Sequence, residues 1–344
     1  MMTSTVLALC AFAALAVAWL LTGAMRRYAL ASQLIDRPNE RSSHRVPTPR
    51  GGGVAIVATF LVGLGALALA GQVESRLAIA LVASGLVVAV LGFLDDRSSL
   101  PARQRFLGHL VAAIWVIVWL GGLPDIPVFG FQVNLGYLGP VLSLVFLAWM
   151  VNLFNFMDGI DGIASVEAIT VSLGGAWLWH ATGTGDGWVA AVLFAACVAG
   201  FLAWNFPPAR IFMGDAGSGF LGLAVATFAL WCGRGTPVLF WSWLILSGCF
   251  MVDATTTLVR RVRRGDRFSE AHRSHAYQYA SRLHGSHRMV TLAVLALNML
   301  WLLPIAALVA YGRLDGALGL VIAYAPLVAL AFRYKAGDAA GQGT

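Results

Sequence analysis

Charge is what this sequence has least of. Only 11% of its 344 residues are Asp, Glu, Lys or Arg, against 59% hydrophobic. A soluble domain carries roughly 25% charged residues, so a soluble multidomain protein is excluded and a polytopic membrane protein is expected. Cysteine is scarce too: Cys10, Cys197, Cys232 and Cys249 all lie in apolar runs without ligand-like spacing, which favours packing residues over disulfides or a metal site. No basic residue precedes the first apolar stretch, Thr5 to Met25, so a retained first span is expected rather than a cleaved signal peptide. There is no internal repeat of the kind that marks many transporters. The net charge of +7 does not point to nucleic acid, because the basic residues fall in short loops between apolar spans.

What is present in quantity is apolar sequence of membrane-spanning length. Eleven segments are expected to be transmembrane helices, at 5–25, 52–70, 77–94, 106–121, 136–154, 162–180, 187–204, 217–232, 237–258, 289–310 and 314–332. Segments 106–121 and 217–232 are near the lower limit of length and are candidates for tilting, breakage or burial within the protein. Of the 23 basic residues, 20 fall in alternate loops and the tail; only Arg76, Arg234 and Arg313 fall on the other side. The positive-inside rule then puts the N-terminus outside and the C-terminus in the cytoplasm. The expected fold is an all-α, single membrane-embedded domain over 1–344, ending in a short polar tail at 335–344.

The carboxylates sort to the same side. Asp95 and Asp96 end the third segment, Asp158 and Asp161 lie between the fifth and sixth, Asp215 opens the eighth and Asp253 closes the ninth. Asp95 and Asp96 sit at a helix C-terminus, where the backbone dipole disfavours them by up to about 1 kcal/mol each, so a basic partner or a cation is needed. Asp215 sits at a helix N-terminus, where a carboxylate is welcome as a cap. The stretch N-L-F-N-F-M-D-G-I-D-G, Asn152 to Gly162, adds the amides of Asn152 and Asn155 and two glycines that let a ligand approach the backbone. Hard oxygen donors at a water–membrane boundary suit Mg²⁺ or Mn²⁺, which take one or two carboxylates and complete the shell with water and substrate phosphates. Arg45, Arg50, Arg105 and Arg210 offer a complementary set for phosphate. The turn Arg50 to Gly53 (R-G-G-G) leads into the second segment and is expected to present bare N–H groups to an anion; Gly214 to Gly219 has the same character.

The loop from Arg260 to Arg288 pairs His272 with His275 and His284 with His287, each three residues apart. It can be read as a zinc site, as a basic loop lying on anionic lipid head groups, or as a diphosphate-binding element using His272, Arg273 and His275.

Taken together, H-R-V-P-T-P-R-G-G-G, L-D-D-R, N-L-F-N-F-M-D-G-I-D-G, N-F-P-P-A-R-I-F-M-G-D-A-G-S and H-R-S-H, spread over about residues 35–290, resemble the motifs of the polyprenyl-phosphate N-acetylhexosamine-1-phosphate transferases, the MraY/WecA-like glycosyltransferase family 4. The resemblance implies an Mg²⁺-dependent enzyme of the bacterial inner membrane with its site facing the cytoplasm, which passes a sugar 1-phosphate from a UDP-amino sugar to polyprenyl phosphate and releases UMP. A homodimer would be compatible with it; nucleic acid is not a partner. By resemblance Asp215 ligates the metal, with Asn155 beside it, and Asp95 and Asp96 handle the lipid phosphate. Asn152, Asn155, Asp158, His272, Arg273 and His275 line the diphosphate region. Gly159, Ile160, Asp161, Asn205 and Phe212 form the uridine pocket, and Arg45 and Thr48 serve from the first cytoplasmic loop.

The muramyl-pentapeptide branch carries three consecutive histidines where this chain has H-R-S-H, so the resemblance favours the branch that initiates O-antigen and other envelope glycans. M-D-G-I-D-G-I-A with H-R-S-H-A-Y-Q is similar to members using UDP-N-acetylfucosamine or UDP-N-acetylquinovosamine, with UDP-N-acetylglucosamine as the other donor to consider. The competing class is an ion-coupled secondary transporter, whose sites lie near the bilayer midplane rather than at one interface. Glu167, two turns into the sixth segment, is expected to make an interhelical hydrogen bond.

Overall fold

The computed structural model describes residues 4–38, 46–123, 125–182, 185–266 and 273–338. Arg45 and His272 lie outside the described residues. In chain order the elements are α1 (Ser4–Ala31), β1 (Ile35–Asp36), β2 (Thr48–Pro49), α2 (Gly53–Leu69), α3 (Ser75–Ser98), α4 (Ala102–Leu120), β3 (Ile126–Val128), β4 (Phe131–Val133), α5 (Leu138–Met157), α6 (Ile163–Thr182), α7 (Trp188–Asn205), α8 (Asp215–Gly235), α9 (Pro237–Leu246), α10 (Gly248–Arg263), α11 (Ala276–His284), α12 (His287–Leu297), α13 (Leu303–Ala310) and α14 (Gly316–Arg333). A π-helical turn, Asn298–Leu302, joins α12 to α13.

Each of the eleven expected segments falls on helix. Seven helices among the described residues are long and apolar enough to cross a membrane: α1, α3, α5, α7, α8, the run from α12 through α13, and α14; the bent pair α9–α10 makes an eighth if it is one span. The chain is thus a multi-pass, largely helical membrane protein. Two expectations need correcting. The fold is not purely helical, since β1 pairs with β2 and β3 with β4 as small antiparallel hairpins. Of the alternatives for segment 217–232, burial within the protein is the one realised: α8 runs 21 residues without a break and is almost wholly buried. The break falls instead in the ninth segment, where α9 ends at Ser247 and α10 departs at 71°.

Local chemistry accounts for the boundaries. Pro237 opens α9, where its missing N–H costs nothing. Asp315 caps α14 by accepting from Ala317 and Leu318 N–H, and Ser286 caps α12 through Met289 N–H. Glu167 lies near the start of α10, and its carboxylate accepts from Asn298 Nδ2 at 2.7 Å. The interhelical bond expected of Glu167 is therefore present, and it joins α6 to the π-turn.

Helix α8 is the axis of the bundle, packed by α5, α3, α9, α2 and α6. Phe60, Phe194, Phe220 and Phe228 meet there with ring centroids 5.4–6.4 Å apart, each pair worth about 0.5–1.5 kcal/mol beyond its burial. Leu9, Phe12 and Leu20 on α1 are exposed, a surface suited to hydrocarbon. The C-terminal ends of α3, α5 and α7 and the N-terminal ends of α2, α6 and α8 converge at one end of this bundle, and the acidic residues gather there.

Candidate functional site

The site is built on two backbone segments lying side by side. Gly52 and Gly53 N–H donate to Phe212 and Met213 carbonyls at 2.9 and 2.8 Å, and Phe212 N–H returns a bond to Pro49 O at 2.8 Å. A side chain at Gly53 would come within 2.3 Å of Gly217 Cα, so only glycine allows α2 to start against α8. This corrects the reading of R-G-G-G as an anion nest. The N–H groups of Arg50, Gly52 and Gly53 are spent on carbonyls, and the turn's task is to hold the start of α8.

Asp96 is buried and takes the place an anion would have at that start. Its Oδ1 accepts from Asp215 N–H at 3.2 Å and pairs with Arg50. Its Oδ2 is buried without a hydrogen-bond partner. Asp95 accepts from Leu100 N–H at 2.6 Å and pairs with Arg105 at 2.5 Å, and the same guanidinium reaches Asp215 at 3.3 Å. The compensation that two acids at a helix C-terminus require comes from Arg50 and Arg105. A side chain at Gly92, one turn earlier in α3, would lie 2.4 Å from Ala216 N, which shows how closely α3 must approach α8 to bring Asp96 there.

Even so, among the described residues the carboxylates gathered here outnumber the cations. The Asp95 and Asp215 carboxyl groups are within hydrogen-bonding reach of each other. Burial, then the charges of Asp215, Asp96 and Asp161, hold the Asp158 pKa well above the ordinary carboxylate range. Asn155 Nδ2 donates to Ser218 Oγ at 3.2 Å, which leaves its amide oxygen as an acceptor. Among the described residues no three His, Cys, Asp or Glu side chains form a ready-made metal cage. The donor set is instead oxygen-rich, crowded with negative charge and open to a pocket. It fits a hard divalent cation that keeps water and phosphate in its shell.

One pocket gathers Asn155, Asp158, Gly159, Ile160, Asp161, Asn205, Phe212 and Asp215 on its walls. Its far end is braced by polar side chains. Asn205 Oδ1 accepts from Gly162 N–H at 2.9 Å and its Nδ2 donates to Ile211 O at 3.0 Å. Asp161 Oδ2 accepts from Ala209 N–H at 3.0 Å, and its Oδ1 lies 3.2 Å from His287 Nδ1. These bonds lock the 158–162 turn to the 206–212 turn, and Phe212 lines the same pocket.

Other expected site residues lie elsewhere. Asp95 and Asp96 stand behind Asp215 rather than on the pocket wall. Asn152 donates to Ala148 O in its own helix. Thr48 is buried and donates to Val46 O. Arg273 is exposed. His275 is buried against Asp253, with its ring stacked near Phe156 and Tyr277, and it does not line the pocket. His284 meets Tyr334 while His287 meets Asp161, so that pair does not converge on one site.

Sequence reasoning missed Asp36, Ser218, Gln278 and His287 as wall residues, and gave Arg50 only its charge. Ser218 stands in the noted G-D-A-G-S-G turn and could have been found; Gln278 carried no signal beyond its place after H-R-S-H.

Comparison with known proteins follows this geometry. Residues 78–233, which contain α3 through most of α8, match the family described as Glycosyl transferase family 4. A probable undecaprenyl-phosphate N-acetylglucosaminyl 1-phosphate transferase of Bacillus subtilis is 30% identical over 296 residues, covering 82% of this chain and 79% of its own length. A decaprenyl-phosphate N-acetylglucosaminephosphotransferase of Mycobacterium tuberculosis is 31% identical over 327 residues, covering 84% and 79%. A phospho-N-acetylmuramoyl-pentapeptide-transferase of Moorella thermoacetica is 34% identical over 197 residues, covering 53% and 61%. With the motif order, the bundle and these similarities over most of the chain in agreement, the chain belongs to the polyprenyl-phosphate N-acetylhexosamine-1-phosphate transferase family of membrane glycosyl transferases.

Proposed function

We propose that this protein transfers the sugar 1-phosphate of a UDP-N-acetylhexosamine to polyprenyl phosphate, yielding a polyprenyl-diphosphate sugar and UMP. The observation that carries the reading is the pocket itself: a crowd of carboxylates at one end, at the start of α8, and a braced turn with an aromatic ring at the other. That suits a molecule with a cation-seeking diphosphate and a flat base.

Asp215, with Asp158 and the Asn155 amide oxygen, would hold Mg²⁺. The ion, when bound, withdraws charge from the donor diphosphate and eases the departure of UMP. A phosphate monoester with a second pKa near 6 is already largely dianionic at neutral pH. An oxygen of the lipid phosphate can therefore attack the donor's β-phosphorus directly as the bond from that phosphorus to the UMP oxygen breaks. Asp95 and Asp96 are each tied to an arginine and to a backbone N–H, which supports a role in fixing Asp215 and α8 over that of a free base. Phosphoryl transfer asks chiefly for positioning and charge neutralisation, and the site is built for both. Asp161 and Asn205 hold the turn that faces the base, and Phe212 offers it a ring.

The finer reading adds eleven crossings, an outside N-terminus, a cytoplasm-facing site in a bacterial inner membrane, a 6-deoxy donor such as UDP-N-acetylfucosamine or UDP-N-acetylquinovosamine, a place at the start of O-antigen or related glycan synthesis, and a dimer. It rests on the basic loops and on the H-R-S-H segment. A panel of UDP-amino sugars with polyprenyl phosphate and Mg²⁺ tests it. UMP release is expected fastest with a 6-deoxy donor, falling at least tenfold on chelation and returning with Mg²⁺. Faster release with UDP-N-acetylglucosamine would discard the 6-deoxy assignment, and chelator-insensitive release would discard the metal.

A further inference from the structure

Asp253 is a buried carboxylate in α10 that the transfer reaction, as derived above, does not use. It is nonetheless among the most fully engaged acids in the molecule. Its Oδ1 accepts from Ala276 N–H at 2.9 Å and from Thr257 Oγ1 at 3.1 Å, and lies 3.3 Å from His275 Nδ1; its Oδ2 accepts from Tyr277 N–H at 3.0 Å. Those N–H groups are the first two of α11. A nine-residue helix is marginal alone, and a carboxylate at its N-terminus answers both its free N–H groups and its dipole.

The other side of α11 forms a wall of the pocket. Tyr277 Oη donates to Phe156 O at 2.9 Å, two residues before Asp158. Gln278 Oε1 accepts from His275 N–H at 3.3 Å, and Gln278 lines the pocket beside Asp158 and Gly159. A Cβ on Gly159 would lie 3.0 Å from Gln278 Nε2 and 2.2 Å from Tyr277 Oη, so α11 presses directly on the turn that carries Asp158. With its oxygen occupied, Gln278 has its amide N–H groups to offer toward the pocket.

We propose that Asp253 is a positioning residue: it seats α11 so that Gln278 presents an N–H donor to an oxygen of the UDP-sugar. This rests on the transferase reading. Asp253 touches no substrate; it acts through Gln278.

The test has two arms on the purified full-length protein. In hydrogen exchange, Asp253→Ala is expected to speed exchange across residues 276–284 at least tenfold, with peptides from α8 and α14 unchanged. In kinetics, Asp253→Ala and Gln278→Ala are each expected to raise the KM for the UDP-sugar about tenfold, the scale of one hydrogen bond, with a smaller effect on kcat. The double variant should be no worse than Asp253→Ala alone, and Asp253→Asn, which keeps one accepting oxygen, should recover part of the loss. Multiplicative losses in the double variant, a fall in kcat at unchanged KM, or unaltered exchange in α11 would overturn the proposal. If the wild type releases no UMP from any donor, the transferase reading fails and the role of Gln278 with it. The exchange arm still decides separately whether Asp253 anchors α11.

Discussion

Asp215→Asn is expected to cut UMP release by about 10³-fold, equivalent to roughly 4 kcal/mol of lost transition-state charge stabilisation. The substitution keeps the shape of the side chain and removes the charge that would hold the metal. The same variant is expected to insert normally and, without metal, to melt no lower than the wild type. Its carboxyl group lies against that of Asp95 and faces Asp96 and Asp158, so removing it relieves like-charge crowding. The partner it gives up, Arg105, is more than a third exposed and still holds Asp95, so little pairing energy is lost. Reduced activity with unreduced stability is the signature of a residue placed for chemistry. Turnover within threefold of the wild type would remove Asp215 from the metal site.

Arg50→Ala should show the opposite pattern. Asp96 has no side-chain exposure and Arg50 is its charge partner, so the substitution leaves a buried carboxylate unpaired. The expected cost is on the order of 3 kcal/mol, with activity falling as the start of α8 loosens. Adding Asp96→Asn to Arg50→Ala removes the stranded charge while an amide oxygen still accepts from Asp215 N–H. That double variant is expected to recover most of the lost stability, measured as the thermal midpoint in detergent. A double variant as unstable as Arg50→Ala would show that Arg50 stabilises the protein through contacts other than Asp96.

The two patterns follow from one arrangement. Arg50 and Arg105 satisfy Asp96 and Asp95, which in turn hold the first residues of α8. Among the described residues, Asp215 and Asp158 face the pocket with fewer cations than carboxylates around them. The described cations serve the framework, and under the proposed function a metal would balance the negative charge that remains.

Much of this was readable in the sequence, for reasons specific to particular residues. Two acids at the C-terminal end of α3 conflict with the helix dipole, and the conflict announced partners that proved to be Arg50 and Arg105. Polar residues in Asn152 to Gly162 stood out because so little else in the chain is charged. Glu167 announced its own partner, since a carboxylate inside an apolar helix must be met by a donor, here Asn298 Nδ2. The bend at Ser247 left no trace because the apolar run continues through it, and hydropathy does not record helix direction. The R-G-G-G turn was misread because sequence cannot say which carbonyls, in this case those of Phe212 and Met213, will reach its N–H groups first. Asp253 looked idle because three of its four partners lie 22 to 24 residues downstream, two of them backbone N–H groups.

The central claim is that a sugar phosphate, and not a bare sugar, moves to the lipid. The most direct test supplies a UDP-amino sugar labelled in its β-phosphate to the purified protein with polyprenyl phosphate and Mg²⁺, and follows where the label goes. The label is expected in the lipid extract, with one UMP released per lipid labelled. Label retained in water-soluble UDP, with the sugar alone on the lipid, or no transfer with any UDP-amino sugar, would contradict the account.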